Sequence, residues 1–253
     1  MVISSLLDKS DNIRHARPFR FKQFAVAQDR CAMKVGTDGV LLGAWAATGM
    51  ASQNMRRRIL DIGTGTGLIA LMMAQRCVGA SVVGIDIVAE ACEQARENVA
   101  ASPFHDRIDI LNTSLQHYNA EPRSFDAIVS NPPFFENSMK TPDRDRTLAR
   151  HTDTLSCTDL FCGVDRLLSE NGVFSVIIPI ENLSVFTGEA AIFGFYVNEE
   201  IKIQTTPAKQ PKRCLLSFVR NRPSCLVQQT IAITHADGNR SDWYQHLTQD
   251  FYL

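Results

Sequence analysis

The tetrapeptide Asn131-Pro132-Pro133-Phe134 brings together an amide, two rigid residues and an aromatic ring. Each proline fixes φ and lacks an N–H donor, so the carbonyl groups of this segment remain free to accept hydrogen bonds. A conjugated amino group that donates to Asn131 Oδ1 and the Pro132 carbonyl would direct its lone pair at an electrophilic carbon, while Phe134 stacks on its ring. Such catalysis depends on proximity and alignment and needs no base of raised pKa before attack. The pattern predicts four catalytic residues; a rigid strand-ending turn with a surface aromatic is the alternative.

A second chemical signal is the glycine loop, residues 63–67, which follows Asp61 and lies between an apolar run and a helical pattern. Glycines at such a turn allow tight backbone conformations and the close approach of a ligand. A dinucleotide-binding pattern would need a glycine where Leu68 stands. Roughly 20 residues further on, the Asp86 carboxylate would accept ribose hydroxyl groups and Ile87 would cover an adenine. A ligand-free turn and a nicotinamide-dependent dehydrogenase remain the alternatives on these features alone.

The elements that must position these residues alternate between short apolar runs and helical patterns over residues 59–200. This alternation predicts an α/β fold with a mostly parallel, seven-stranded sheet flanked by helices. The strands are expected at 58–62, 81–86, 107–111, 125–130, 173–178, 195–203 and 213–219. The glycine loop and the tetrapeptide follow the first and fourth strands, at the edge where open parallel sheets bind ligands.

The organisation expected along the chain is one domain in three parts. Residues 1–55 form an arm and a helix, 56–220 the catalytic sheet core and 221–253 a C-terminal extension. A chain of 253 residues buries enough apolar surface to need no disulfide or metal staple.

The composition excludes several classes of protein. With 26 Lys and Arg against 27 Asp and Glu, and 45% hydrophobic residues, the chain is neither disordered nor a globally basic nucleic-acid coat. The seven cysteines and six histidines are scattered without metal-ligand spacing, so no metal site is expected. No signal peptide or membrane span is found, and we expect a reduced, cytoplasmic protein.

Longer stretches of the sequence resemble a known family. The Asp-x-Gly-x-Gly-x-Gly form of residues 61–67 resembles the cofactor loop of class I S-adenosylmethionine-dependent methyltransferases. Residues 29–46, the tetrapeptide and residues 247–253 are together similar to the tRNA1(Val) (adenine-37-N6)-methyltransferase family, over nearly the whole chain.

The resemblance implies a Rossmann-like class I methyltransferase fold, S-adenosyl-L-methionine as cofactor and methylation of the adenine beside the tRNA anticodon. It implies a cofactor site made of Lys34, Thr37, Asp38, Asp61, Gly63, Gly65, Gly67, Asp86, Ile87, Ser114 and Asn131. Two positions depart from the family. Phe134 stands where members often carry Tyr, and Ser114 stands where an Asp near the cofactor adenine is common.

Basic clusters that could bind tRNA occur in three segments, with aromatic residues interleaved in the first. Such charges supply phosphate contacts and the aromatics supply base stacking, although solvated surface charge is the simpler interpretation of each cluster alone. The residues expected to bind RNA are Arg17, Arg20, Lys22, Arg144, Arg146, Arg150, Lys212 and Arg213.

The tetrapeptide leaves the acceptor of the methyl group open. The first hypothesis is that the acceptor is adenine N6 in tRNA, and that a monomer binds the tRNA near its anticodon stem-loop. The guanine-N2 group of rRNA and a protein glutamine-N5 group are the alternatives within the same enzyme class. A catalytically silent RNA-binding protein on the same fold is the alternative from another class.

Overall fold

The computed structural model describes residues 17–31, 33–47, 56–133 and 155–252. A short antiparallel pair, β1 and β2, precedes a central sheet that has eight strands within these residues. The strands are β1 (Phe19–Arg20), β2 (Ala25–Val26), β3 (Arg58–Ile62), β4 (Ser81–Asp86), β5 (Ile108–Asn112), β6 (Phe125–Ser130), β7 (Leu168–Pro179), β8 (Tyr196–Gln204), β9 (Arg213–Val219) and β10 (Val227–Ala232). The helices are α1 (Thr37–Trp45), α2 (Leu68–Arg76), α3 (Ala89–Ala100), α4 (Cys157–Leu167), α5 (Leu183–Ile192) and α6 (Asp242–Thr248), with a 3₁₀ turn at Ile180–Asn182.

The strand order of the central sheet is β10-β8-β9-β7-β6-β3-β4-β5. Of the eight described strands, β9 alone runs against its neighbours, so the prediction of a mostly parallel sheet flanked by helices is confirmed. The chain adds β4 and β5 on one side of β3 and then crosses to β6 on the other side. This reversal creates a switch point between β3 and β6, where parallel sheets open a crevice for ligands.

Two expectations about the sheet are wrong. In the part of the chain that the structure describes, the sheet has eight strands and does not end at residue 220, because β10 pairs in parallel with β8 at its edge. The residues of β10 are exposed or half-buried, and an edge strand of this kind carries no apolar pattern to detect. In addition, β7 begins at Leu168, ahead of the start at residue 173 that we expected.

The core consists of two apolar clusters, one on each face of the sheet. Helices α1, α2, α3 and α6 pack on one face, and α4 and α5 pack on the other. Within β3, Ile59 belongs to the first cluster and Leu60 to the second, because successive side chains of a strand point to opposite faces. The sheet is therefore covered on both faces, and a ligand must enter at its edge.

A strap of residues 27–31 crosses α3 before the chain enters α1. The buried Asn98 amide accepts a hydrogen bond from the Ala27 N–H at 2.8 Å and donates to the Ala27 carbonyl at 2.9 Å. The same Nδ2 atom also donates to the Thr66 carbonyl at 2.9 Å, and Gln94 Oε1 accepts from the Arg30 N–H at 2.9 Å. The strap is thus fixed to both α3 and the glycine loop.

Among the helices in the described parts of the chain, none combines the length and the apolar character that crossing a membrane requires.

Candidate active site

The glycine loop turns the chain from β3 into α2 through three left-handed residues. Gly63, Gly65 and Gly67 have φ values of 73°, 54° and 80°, a region that strains residues with a Cβ. A Cβ at Gly67 would also lie 3.3 Å from the Ala95 Cβ atom of α3. The glycines are therefore required by the backbone, whatever the loop binds.

Asp61 lies behind this loop and is completely buried. Its Oδ2 atom accepts a hydrogen bond from Thr64 Oγ1 at 2.7 Å, whereas Oδ1 has no partner among the described residues. Burial, with a smaller contribution from the charge of Asp86, raises the pKa of this carboxyl from 3.8 to about 7. A buried carboxylate oxygen without a donor fits a ligand that carries an ammonium group.

Asp86 ends β4 and fastens two turns of the backbone. Its Oδ2 atom accepts the Gly65 N–H at 2.9 Å and its Oδ1 atom accepts the Val88 N–H at 2.9 Å. A carboxylate has about four lone-pair sites, so acceptor capacity for ribose hydroxyl groups remains. The adjacent Ile87 side chain is 55% exposed and available to cover a planar ring.

Ser114 and Cys31 lie in segments next to Asp86. Ser114 Oγ pairs with His117 Nδ1 at 2.9 Å and accepts the His117 N–H at 3.3 Å, which makes it a turn residue here. Burial, with the Asp86 charge as the next cause, raises the pKa of the Cys31 thiol to about 11. At this pKa Cys31 is a poor nucleophile at neutral pH.

The tetrapeptide follows β6, the direct neighbour of β3. Ser130 is in register with Ile62, and Ser130 Oγ donates to the Ile62 carbonyl at 2.9 Å. Pro132 is buried and Asn131 half-buried. Residues 131–133 and the glycine loop therefore leave the sheet side by side; Phe134 lies outside the described residues.

Both segments line one cleft of about 770 Å³ at the carboxyl edge of the sheet. Its size falls within the range of small-molecule sites. The predicted site residues that line it are Lys34, Thr37, Asp38, Gly63, Gly65, Asn131, Pro132, Pro133 and Arg213. The predicted cofactor-binding residues that lie outside its lining, as the described residues outline it, are Asp61, Gly67, Asp86, Ile87 and Ser114.

Sequence reasoning missed the part of the cleft that follows β7. Pro179, Glu181 and Asn182 line this side. The signal that could have found them is positional, because they follow the strand next to β6 at the same edge. Thr64 and Thr66, within the predicted glycine loop, also line the cleft, and the sequence missed the wall formed by Met33, Gly36, Gly39, Leu68 and Ile69.

The basic residues predicted to bind RNA are dispersed. Arg213 lies in the cleft and forms an ion pair with Asp38, where Arg213 Nε donates to Asp38 Oδ2 at 2.7 Å. Lys22 donates to the Gln249 carbonyl at 2.6 Å and lines a second cleft of about 490 Å³ beside α6. Arg17, Arg20 and Lys212 are exposed. The other three, Arg144, Arg146 and Arg150, lie outside the described residues.

The reversed strand order, the glycine loop and the adjoining cleft define a Rossmann-like methyltransferase. A family model for a methyltransferase domain matches residues 59–157. The structure of a predicted O-methyltransferase from Agrobacterium tumefaciens has the same fold, with a TM-score of 0.66 at 17% identity. That likeness covers 85% of this chain and 96% of the other.

Closer relatives narrow this class. A tRNA1(Val) (adenine(37)-N6)-methyltransferase from Phocaeicola vulgatus is 49% identical over 235 residues, covering 93% of this chain and 97% of the relative. A protein of the same name from Aeromonas hydrophila is 44% identical over 236 residues, with the same coverage of both chains. The chain belongs to the tRNA1(Val) (adenine(37)-N6)-methyltransferase family.

Proposed function

We propose that this protein transfers a methyl group from S-adenosyl-L-methionine to the N6 atom of adenine 37 in tRNA1(Val). The observation that carries the proposal is the single cleft lined by the glycine loop and residues 131–133. A methyl donor held by the glycine loop and an amine held by residues 131–133 would lie in adjacent parts of one site. The family of the chain supports adenine in tRNA as the acceptor.

The residues of the donor side fit S-adenosyl-L-methionine, which supplies an electrophilic methyl carbon when bound. The unpartnered Asp61 Oδ1 atom would receive the methionine ammonium group. Asp86 would accept the ribose hydroxyl groups and Ile87 would cover the adenine. Gly63 and Gly65 leave room for the ligand, since a Cβ at either would meet no atom of the described residues within 4 Å. The remaining proposed contacts are Lys34, Thr37, Asp38, Gly67, Ser114 and Asn131.

The residues of the acceptor side orient an amino group. Asn131 Oδ1 and the Pro132 carbonyl would accept its two N–H groups and turn its lone pair towards the methyl carbon. The amino proton becomes acidic only after transfer, so no residue has to remove it beforehand. Phe134 would stack on the base, which must leave the tRNA stack to reach the cleft.

The tRNA would bind across the edge of the sheet through phosphate contacts. We propose a monomeric, cytoplasmic enzyme without a metal, in which the basic residues supply these contacts. They are Arg17, Arg20, Lys22, Arg144, Arg146, Arg150, Lys212 and Arg213.

The test separates chemistry from cofactor binding. Asn131→Ala should abolish methylation of an unmodified tRNA1(Val) transcript while its affinity for S-adenosyl-L-methionine, measured by calorimetry, stays within about threefold, about 0.7 kcal/mol. Asn239→Ala, in an exposed turn of the C-terminal region, is the matched control and should retain both. Equal loss of turnover and cofactor affinity in Asn131→Ala would contradict the assigned role.

The same assay identifies the acceptor. Mass spectrometry of the digested transcript should find N6-methyladenosine, and replacing adenine 37 by guanine should remove it. Label in rRNA guanine or in protein alone would instead support the alternative acceptors. Absence of cofactor binding with or without RNA would support a silent RNA-binding protein.

A further inference from the structure

The Asp38–Arg213 ion pair joins two parts of the cleft wall that are 175 residues apart in the chain. Asp38 lies in the first turn of α1, and Arg213 is the first residue of β9. Besides its contact with Asp38, Arg213 donates from Nη1 to the Lys212 carbonyl at 3.2 Å. Among the described residues, the other N–H groups of its guanidinium have no hydrogen-bond partner. A guanidinium presents five donors, so most of the fork remains available to a ligand.

Rigid backbone places Arg213 on the acceptor side of the cleft. Arg213 is in register with Pro179, the last residue of β7. The neighbouring Lys212 is fixed on both sides, since its carbonyl accepts the Ile180 N–H at 3.1 Å and its N–H donates to the Ile203 carbonyl at 2.9 Å. In the strand order, β7 lies between β9, which carries Arg213, and β6, which ends just before Asn131. Arg213 is therefore about two strand spacings, roughly 10 Å, from β6. One nucleotide can bridge such a span from its base to its phosphate.

The charge around Arg213 favours a phosphate. Residues 205–213 contain Lys209, Lys212 and Arg213 and no acidic residue. The opposing charges in the described lining of the cleft are Asp38, which pairs with Arg213, and Glu181, which is exposed. The planar fork of an arginine binds phosphate oxygens in pairs, and a carboxylate that holds Nε fixes the orientation of the fork.

We propose that Arg213 binds the phosphate next to the base that enters the cleft, and that Asp38 is the positioning residue of Arg213. This inference rests on the proposed function, because it takes RNA to be the substrate. It gives Asp38 a role on the acceptor side, in addition to the cofactor contact that the family resemblance implies. It also separates Arg213 from the other basic residues, which would contact phosphates more distant from the reaction.

The test uses a labelled anticodon stem-loop of tRNA1(Val) and its affinity between about 50 and 200 mM salt. Arg213→Gln should weaken binding about tenfold at low salt, the effect of one charge-assisted contact. It should also reduce the slope of log affinity against log salt by about 0.7, the value for one phosphate in a single strand. A neutral methylphosphonate at the phosphate flanking adenine 37 should weaken binding to wild type and have no further effect on Arg213→Gln.

Arg123→Gln is the matched control. Arg123 precedes β6 at the opposite edge of the sheet, and its Nη1 donates to Glu170 at 2.5 Å, so the variant also removes one paired arginine. Its affinity and salt slope should equal those of wild type. If Arg213→Gln and Arg123→Gln behave alike, or if the methylphosphonate weakens both wild type and Arg213→Gln, the phosphate contact is refuted.

A double-mutant cycle tests the positioning role of Asp38. Asp38→Asn alone should lower affinity for the stem-loop about threefold, about 0.7 kcal/mol, and should add nothing in the Arg213→Gln background. Additive losses, or a gain in affinity, would overturn it. Arg213→Lys keeps the charge without the fork and should recover the salt slope but only part of the affinity. Wild type that fails to methylate the transcript refutes the proposed function; active wild type with an unchanged Arg213→Gln slope refutes this inference alone.

Discussion

Replacing Asn98 by alanine should be among the most damaging single changes outside the cleft. The side chain is 4% exposed and makes three hydrogen bonds, which involve the Ala27 N–H, the Ala27 carbonyl and the Thr66 carbonyl. The substitution would leave these backbone groups without partners in a region that water reaches poorly. The strap and the glycine loop would lose their common anchor.

The magnitude follows from the three groups left unpaired. A buried polar group without a partner costs about 1–3 kcal/mol, and partial access of water to the strap places each near the lower end. We therefore expect Asn98→Ala to lower the free energy of unfolding by about 3 kcal/mol, roughly a hundredfold in the unfolding equilibrium. Affinity for S-adenosyl-L-methionine should fall as well, because the strap leads directly to Lys34 and Thr37 in the cleft wall.

Urea unfolding followed by circular dichroism measures the loss, with an unchanged m-value as evidence that the transition stays comparable. In the control Asn239→Ala the lost amide contact to Asp237 is exposed, so the change should be within about 0.5 kcal/mol. An Asn98→Ala protein within about 1 kcal/mol of wild type would refute the reasoning, because it would mean that water replaces all three bonds.

Two further predictions concern the glycine loop and the residue behind it. Because burial raises the pKa of Asp61 from 3.8 to about 7, the folded state binds more protons than the unfolded chain between these values. The free energy of unfolding should therefore fall as pH rises from about 4 to about 7, and Asp61→Asn should flatten this dependence. An equally steep curve in the variant would mean that other groups cause the pH dependence. Gly67→Ala should lower the free energy of unfolding by about 1–2 kcal/mol because φ is left-handed at 80°, and the contact of the new Cβ with Ala95 should lower it further. Gly188→Ala, in an open position of α5, is the control and should raise the free energy of unfolding by about 0.5–1 kcal/mol in the same assay. A comparable decrease in both variants would contradict the explanation by backbone strain.

The centre of the parallel sheet follows from the sequence because strands such as β3 and β6 are buried on both faces. Continuous apolar runs such as those around Ile59 and Val82 are typical of buried parallel strands and leave few other interpretations of these segments. The edge strand β10 could not be found in this way, since Val227 is exposed and its neighbours are polar. The early start of β7 depends on its pairing with β6, where the register shifts between Phe125 and Ala127. Such a shift is a tertiary effect that no local pattern encodes.

For the candidate site, local motifs indicated the two segments that share the cleft but not the contacts between distant residues. The Asp38–Arg213 pair could not be anticipated, because it depends on where β9 inserts in the sheet. Asp86 was expected to face a ribose, and the additional contacts of its carboxylate with the Gly65 and Val88 N–H groups are specific to the folded turns. The wall after β7 carried no motif, and only the strand order brings Glu181 to it.

The pairing of β3 with β6, in which Ile62 lies opposite Ser130, has a consequence for how far the substrate choice of this architecture can change. Because β3 and β6 are bonded neighbours, the roots of the two loops stay one strand repeat apart, roughly 4.8 Å. Substitutions within either loop can alter which molecule it holds, but they leave this separation untouched. Under the proposed function, new acceptors could therefore arise by loop replacement alone, because main-chain pairing would maintain the distance between donor and acceptor.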